Sequence, residues 1–515
     1  MSATKFIIRR NQYFDSVFLM GINKDLLSQS GVIQSAVLMG TQNNKKLLAN
    51  INVKSTEIDQ ASANDLIVAV IAESEQFAEK ALGNLDQLFE KVHTDSRQVQ
   101  LRTFEDGLRA RPDANLAVIS VPGEFAAREA MKALENGLNV FIFSSNVSVE
   151  DELKLKEFAR GKNLLVMGPD CGTSIIGGKG IGFANKVRSG PVGAIGPSGT
   201  GLQEFTCLIH HMGSGISHAI GTGTRDLKDA IGGITTLTAL DMLEKDTATQ
   251  IVAIISKPLD KKALTKLLAR LENYTKPVVA CFLGAFEKPS EEWKHLSFAS
   301  TIDEAAERTI ALSGSGSVEK IAAVDKSLIQ HEADSHTDQQ KYLRGLFAGG
   351  SFCYQSQQIL LYSEIDLFSN EPLDGVNILS NPEKSVGNAL IDMGDEYFTL
   401  GKPHPMIDGT MRSLRITQEA SDPETAIILL DFILGFNASN DPVGEAIDSI
   451  LSARQKAESQ NRHLTFIASI TGTEEDLQDI TLQRKMLEDA QVIVTQSNCA
   501  AASLCAEILN AREKK

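Results

Sequence analysis

Residues 192–209 read VGAIGPSGTGLQEFTCLI. A short apolar run ends in a loop of small residues, Gly196, Pro197, Ser198, Gly199, Thr200 and Gly201, and a stretch of helical length follows. A buried strand that turns through glycines into a helix is the βα unit of a parallel sheet. Glycines let backbone N–H groups approach a ligand closely, and a helix start adds unpaired N–H groups and a partial positive charge. Ser198 and Thr200 can add hydroxyls. The loop suits a phosphate or a carboxylate. It also reads as a plain helix-capping turn, because Ser and Thr cap helices anyway.

The same alternation extends both ways. LAVISV (116–121), NVFIFS (139–144), NLLVMG (163–168), HAIGTG (218–223), IVAIIS (251–256) and PVVACFLG (277–284) are strand-length runs separated by helical stretches. They predict two consecutive Rossmann-like or flavodoxin-like units, over 113–188 and 191–312. Residues 313–340 are polar with a Ser/Gly start and read as a linker. From 341 to 515 the alternation resumes and predicts a third parallel-sheet domain. Residues 1–95 differ: KFIIRR, a helical stretch, IQSAVLMG, DLIVAVIA and the amphipathic SEQFAEKALGNLDQLFEKV fit a small ferredoxin-like α+β domain. Residues 94–112 read as a polar connector. The expected class is α/β: an N-terminal ferredoxin-like domain, then consecutive parallel-sheet domains.

Other loops could carry chemistry. In GTGTRD (221–226), Gly223 and Thr224 precede Arg225, which could clamp an anion bidentately or simply be an exposed turn arginine. In MGPDCGTSIIGGKGIGF (167–183), Cys171 suggests a nucleophile, but no base is near in sequence, so a structural loop is the better reading. LLDFILGFNASNDPVGEAI (429–447) places Gly435, Asn437 and Ser439 after an apolar strand, the same device as at Gly196. His404 lies between two prolines, which fix φ and would hold its imidazole for acid–base work or phosphate contact, or leave it merely exposed.

Composition narrows the classes. The 515 residues hold 50 Lys+Arg and 66 Asp+Glu, a net charge of −16, which argues against a nucleic-acid surface. The six cysteines show neither zinc spacing nor disulfide density, and no metal site is expected. No secretory h-region opens the chain and no apolar run is of membrane-spanning length, so the expected location is the cytoplasm, without a membrane. There is no GxxxxGK[ST] loop, no dinucleotide fingerprint in its usual place, no HExxH and no GxSxG.

Taken in order, LAVISVPGEFAAREAMKALENGLNVFIFS, LLVMGPDCGTSIIGGKGIGF, GAIGPSGTGLQEF, HAIGTGTRD and TKPVVACFLG resemble the alpha subunit of succinyl-CoA synthetase, and LLDFILGFNAS and LTFIASITGTEED resemble the ligase domain of its beta subunit. With MGTQNNK, MGPDCGTS, GPSGTG and GKPHPMID, the fused arrangement resembles the FdrA proteins. The resemblance makes 113–188 a CoA-binding-like domain and 191–312 and 341–515 alpha-type and beta-type ligase domains. It implies a phosphoryl group held between Gly196–Gly201 and Gly435–Ser439. It implies an enzyme subunit, either of an oxamate carbamoyltransferase in ureide breakdown, acting with partner proteins, or of an acyl-CoA ligase. A scaffold subunit is the nonenzymatic alternative. Three departures matter. The His-Ala-Gly motif of the synthetase is absent near EEWKHLSFAST, so His295 is not assigned as the phosphoryl carrier. The Gly-rich CoA strand has no counterpart, and the ATP-grasp domain is missing. Phosphate or carbamoyl phosphate is the expected ligand, and CoA is doubtful.

Overall fold

In the computed structural model the Val192 segment becomes the expected βα unit, strand Ser189–Gly196 followed by helix Gly199–His211. The structure describes residues 3–12, 14, 16–41, 44, 45, 48, 49, 53–93, 101, 103–284, 286, 293–317, 326–400 and 402–513. They fall into two units, Met1–Pro112 and Asp113–Lys515.

In the first unit, strands Ala3–Arg9, Val32–Met39 and Leu66–Ala72 form an antiparallel sheet with Leu66–Ala72 in the middle. LIVAVIA is apolar without alternation because both faces are covered. Val68 and Val70 pack with Leu19, Ile22 and Ala78, while Ile67 and Ala69 pack with Leu48 and Ile58 on the other side. This is the small α+β domain. The amphipathic run after it is two helices, Glu75–Gly83 and Leu85–His93, with Asn84 between them. Within the expected connector, Thr103 caps a short helix, Phe104–Ala110. Residues 94–100 and 102 of that connector, and part of MGTQNNK, lie outside the described residues.

The second unit holds three sheets. A parallel three-stranded sheet, Leu116–Ile119, Asn139–Ile142 and Val166–Met167, carries helices Gly123–Glu135 and Val149–Gly161. A seven-stranded sheet runs Leu296–Ala299, Val278–Phe282, Ile251–Ser256, Ser189–Gly196, Ile216–Gly221, Thr173–Ile176, Lys179–Gly182. Its five parallel strands have the flavodoxin-like order, with Ser189–Gly196 at the point where the winding reverses. The hairpin 173–182 was expected with the preceding domain. It pairs antiparallel to Ile216–Gly221 instead, covering what would be an open sheet edge. The last sheet, all parallel, places Tyr342–Phe347 between Asn388–Asp392 and Thr425–Ile433.

The stretch 313–340 is not simply a linker. Helix Lys326–Ser335 forms within it, and Ile329 and Ala333, one turn apart, enter the core of the last domain. Its polar Glu332 accepts from Thr465 Oγ1 at 2.5 Å and pairs with His463 at 2.8 Å, so polarity there marks buried partners and not solvent. Residues 318–325 lie outside the described residues. Among the described residues no helix is long and apolar enough to cross a membrane.

Candidate functional site

A doubly wound sheet leaves a crevice outside the carboxyl end of the strand where its winding reverses. Gly196 ends that strand in one sheet, and Phe347 ends the central strand of the other. The helices that follow, Gly199–His211 and Gly350–Tyr362, start against each other. Ser198 Oγ and Ser351 Oγ are 2.5 Å apart although 153 residues separate them, and both side chains are buried.

Each start is built differently. Ser198 caps its own helix by accepting from the Gly201 N–H at 3.2 Å. Gly349 has no side chain to cap with, and Asp431 serves in its place: its two oxygens accept the N–H groups of Ala348 and Gly349, each at 2.8 Å. Burial raises the Asp431 carboxyl, and the buried Arg412 opposes that rise at 3.1 Å. The next N–H groups, those of Gly350 and Ser351, begin the helix and face the site with its positive end.

Side-chain amides hold the helix starts in register. Gln355 accepts from the Ile302 N–H at 2.7 Å, and Gln358 accepts from the Gly284 N–H at 2.6 Å while donating to the Ser300 carbonyl at 2.7 Å. On the far side, Asn185 and Gln203 both donate to the Leu434 carbonyl, at 3.0 and 3.2 Å. Bonds from buried amides to backbone fix an orientation that apolar contact alone would leave sliding.

Two titratable side chains close on the Gly350 start, and a third stands beside Gly394. Lys257 follows strand Ile251–Ser256, and its ammonium lies 5.3 Å from the Tyr354 ring centroid. Asp392 ends the strand beside Tyr342–Phe347 and accepts from the Gly394 N–H at 2.9 Å. Burial lifts its carboxyl to about 6, with Lys257 pulling the other way. His404 is held by the Met406 N–H, which donates to its Nδ1 at 3.2 Å. Burial, then the charges of Lys257 and Arg412, push the imidazole down to about 4. It is therefore neutral at pH 7, with its hydrogen on Nε2. A Cβ at Gly350 would meet Lys257 Nζ at 2.7 Å and press on Asp392 Oδ2, and one at Gly394 would meet His404 Nε2 at 2.7 Å. Only glycine permits these approaches.

The residues singled out from sequence divide between this site and its surroundings. Ser198, Thr200 and Gly201 come up against Gly349 and Ser351, whereas Gly196 backs onto the Ile255 carbonyl and Gly199 onto Thr173; His404 lies on the opposite half, its ring 6.2 Å from that of Phe183. Gly435, Asn437 and Ser439 do not supply the second helix start. The helix after them begins only at Gly444. Their polar groups are already engaged: Gly435 N–H with Gln478, Asn437 with the Gly182 carbonyl, Ser439 N–H with the Met406 carbonyl and its hydroxyl with Glu445. Arg225 is engaged as well, by Glu152 at 2.9 Å and the Val147 carbonyl at 2.7 Å. Thr224 donates to Asp170, and Gly223 packs its backbone on Pro169 and Gly168, so this turn joins the small sheet to the large one. Cys171 is buried and its thiol is pushed up to about 12, unfit as a nucleophile. His295 lies at the start of a strand pair, where its Nε2 meets the Leu271 carbonyl at 2.7 Å.

Ser351, Lys257 and Asp392 were missed. The signal for Ser351 stood in YLRGLFAGGSF, a strand ending in Ala-Gly-Gly-Ser before a helix, the same device as GAIGPSGTG. Lys257 and Asp392 close apolar strands, and nothing local marks them.

With this geometry in place, comparisons define the class. The chain matches the family described as CoA-ligase over residues 346–508, and that described as AllF, heavy metal-associated domain, over residues 1–103. It is similar to the succinate–CoA ligase [ADP-forming] subunit alpha of Methanothermobacter thermautotrophicus, at 28% identity over 36% of this chain and 62% of that one. It is similar also to the malate–CoA ligase subunit alpha of Methylorubrum extorquens, at 29% identity over 38% and 68%. The architecture is that of a CoA-ligase-like protein with a small α+β domain in front. Similarity to the Escherichia coli K12 protein YahF, 42% identical over 98% of this chain and 99% of that one, is the most extensive of these, and the chain belongs to the FdrA family.

The heavy-metal description of residues 1–103 finds no matching donor set among the described residues. All six cysteines lie at 171 or beyond, and among the described residues no group of three His, Cys, Asp or Glu could hold a metal ion.

Proposed function

We propose that this protein handles a carbamoyl or acyl phosphate, as a subunit of an oxamate carbamoyltransferase that converts oxalurate and phosphate to oxamate and carbamoyl phosphate. The observation that carries the reading is the meeting of two helix starts at Ser198 and Ser351 with the Lys257 ammonium beside them. Two positive helix ends and a cation stabilise an oxyanion, and fixed donors need no reorganisation during reaction. Phosphate attack on a carbamoyl carbonyl asks chiefly for positioning and for donors where negative charge develops. The neutral Nε2–H of His404 is one such donor. The chain's likeness to ligase subunits supports action with partner proteins.

An acyl-CoA ligase component is the second reading, favoured by the CoA-ligase match. The phosphohistidine route of such ligases needs an imidazole lone pair facing phosphate. His404 presents Nε2–H, because its Nδ1 is the acceptor from Met406, and His295 is turned to a backbone carbonyl. For CoA itself, the loop after Leu116–Ile119 offers Pro122, which has no N–H to give a phosphate.

Phosphorolysis of oxalurate by the chain with its partner subunits, without ATP or CoA, is the test. Carbamoyl phosphate formation is expected. ATP-dependent thioester formation in its place would overturn the reading.

A further inference from the structure

Among the described residues, Asp392 is the carboxyl that reaches the Gly350 helix start. Its side chain is 4% exposed. One oxygen is fixed by the Gly394 N–H at 2.9 Å. The other, Oδ2, faces Gly350 and, among the described residues, meets no hydrogen-bond donor. The carboxyl is thus anchored at one oxygen and leaves the other open to a ligand at the helix start. Lys257 reaches the same glycine from the other half of the unit, with no ion-pair partner among the described residues.

We propose that the Asp392 carboxyl is the proton relay of the oxyanion site, exchanging a proton with the phosphate held at the Gly350 helix start. The direction of the chemistry rests on the carbamoyl-phosphate reading above. A phosphate oxygen forms a bond to the carbamoyl carbon of oxalurate. The carbon–nitrogen bond to the oxamate portion breaks, and its electron pair goes to nitrogen. That nitrogen takes the proton held by Asp392, and Asp392 regains one from the hydroxyl of monohydrogen phosphate. Oxalurate and phosphate thus become oxamate and carbamoyl phosphate with no proton left over. The groups around Asp392 suit the relay. Lys257 favours the carboxylate, Glu371 and Asp395 favour the acid, and Cys353 and Tyr354 on the facing helix stay uncharged. His404, across Gly394, is neutral and can donate to the carbonyl without competing for the proton.

Sulfate is the probe, because it occupies oxyanion sites and does not titrate between pH 5 and 8. Calorimetric titration of the full chain with sulfate, in buffers of different ionisation heat, reads protons taken up on binding. Wild type at pH 7 is expected to take up protons, and Asp392→Asn to bind sulfate with that uptake gone. Phosphorolysis by Asp392→Asn should fall on the order of 10²-fold and lose its alkaline limb. Should the variant fail to fold, His404→Gln decides: with the other titrating group of the site removed, uptake must fade below about pH 5, where Asp392 already holds its proton. Equal uptake in the folded Asp392→Asn variant, or undiminished uptake in His404→Gln at low pH, overturns the relay and leaves the cradle standing. Absence of both sulfate and phosphate binding overturns the cradle and the relay together.

Discussion

Ser198 and Ser351 close a hydrogen bond between two sheets that share no strand. Each hydroxyl caps or opens a helix, so the bond sets the spacing of two positive helix ends. Ser198→Ala leaves the Ser351 hydroxyl buried without its partner, which costs about 1–3 kcal/mol. The double alanine variant removes both ends and is expected to cost less than the sum of the singles. Urea unfolding of the three variants measures this. Phosphorolysis should fall on the order of 10²-fold for each single change if the hydroxyls serve a developing oxyanion.

Gly350→Ala tests the close approach of Lys257 and Asp392. The methyl has no room beside Lys257 Nζ, so the ammonium must leave the helix start. Stability should drop by about 1–3 kcal/mol, as for other overpacked sites. Stabilisation by added phosphate should drop as well. Retained stabilisation would show that Lys257 is not part of the anion site.

The contrast between these residues marks how far the sequence could be read. Strand–helix alternation exposed the parallel sheets, because each strand is apolar end to end when helices cover both faces. The glycine loop 196–201 was legible because its function is local: strand, turn and helix start are contiguous. The partner of that loop was not. Both Gly435 and Gly349 follow apolar strands, and only the sheet order, which puts Tyr342–Phe347 in the middle, decides that the second one faces Ser198. Asp392 and Lys257 were invisible for the same reason. Each is an ordinary charged residue at a strand end until two sheets are packed together. The polar 313–340 stretch misled because Glu332 and His331 hide the Ile329–Ala333 stripe.

Buried acids at the same interface predict an alkaline weakness. Glu204 accepts from Thr471 Oγ1 at 2.5 Å and from the Asn498 N–H at 3.1 Å, yet burial, and then the nearby Asp303, raise its carboxyl well above the ordinary range. The folded state therefore holds a proton that the unfolded state has released. Stability falls as pH rises from the ordinary carboxylate range toward neutrality, and the loss is complete above the raised value. Glu204→Gln, which keeps the shape, should flatten that fall. Thermal unfolding at pH 5 and pH 8 should show a smaller difference than in wild type. An unchanged difference would mean that Glu204 does not titrate there.

His404 acts with the opposite sign. Its proton affinity is lowered from 6.5 to about 4, so below pH 6.5 the unfolded chain binds the proton and the folded one does not. Its contribution to stability is whole above pH 6.5 and is lost as pH falls toward 4, by up to about 1.4 kcal/mol per pH unit. His404→Gln should remove this acid limb relative to wild type. Equal acid sensitivity of the two proteins would place the imidazole in water.

Chelators bear on the first unit. With no cysteine before 171, the unfolding temperature should not change with EDTA or with added zinc or copper at stoichiometric level. A rise of several degrees with either metal would show that donors other than cysteine hold a metal there.

The unfolding temperature of the full chain against inorganic phosphate, in wild type and in the Ser198→Ala/Ser351→Ala pair, probes the facing helix starts most directly. A ligand that binds only the native state raises stability by about 2.7 kcal/mol at a hundredfold excess over its dissociation constant. Phosphate is expected to stabilise wild type in that manner and the double variant far less. Equal stabilisation of both proteins, or none of wild type, would contradict an oxyanion site at the meeting of these two helices.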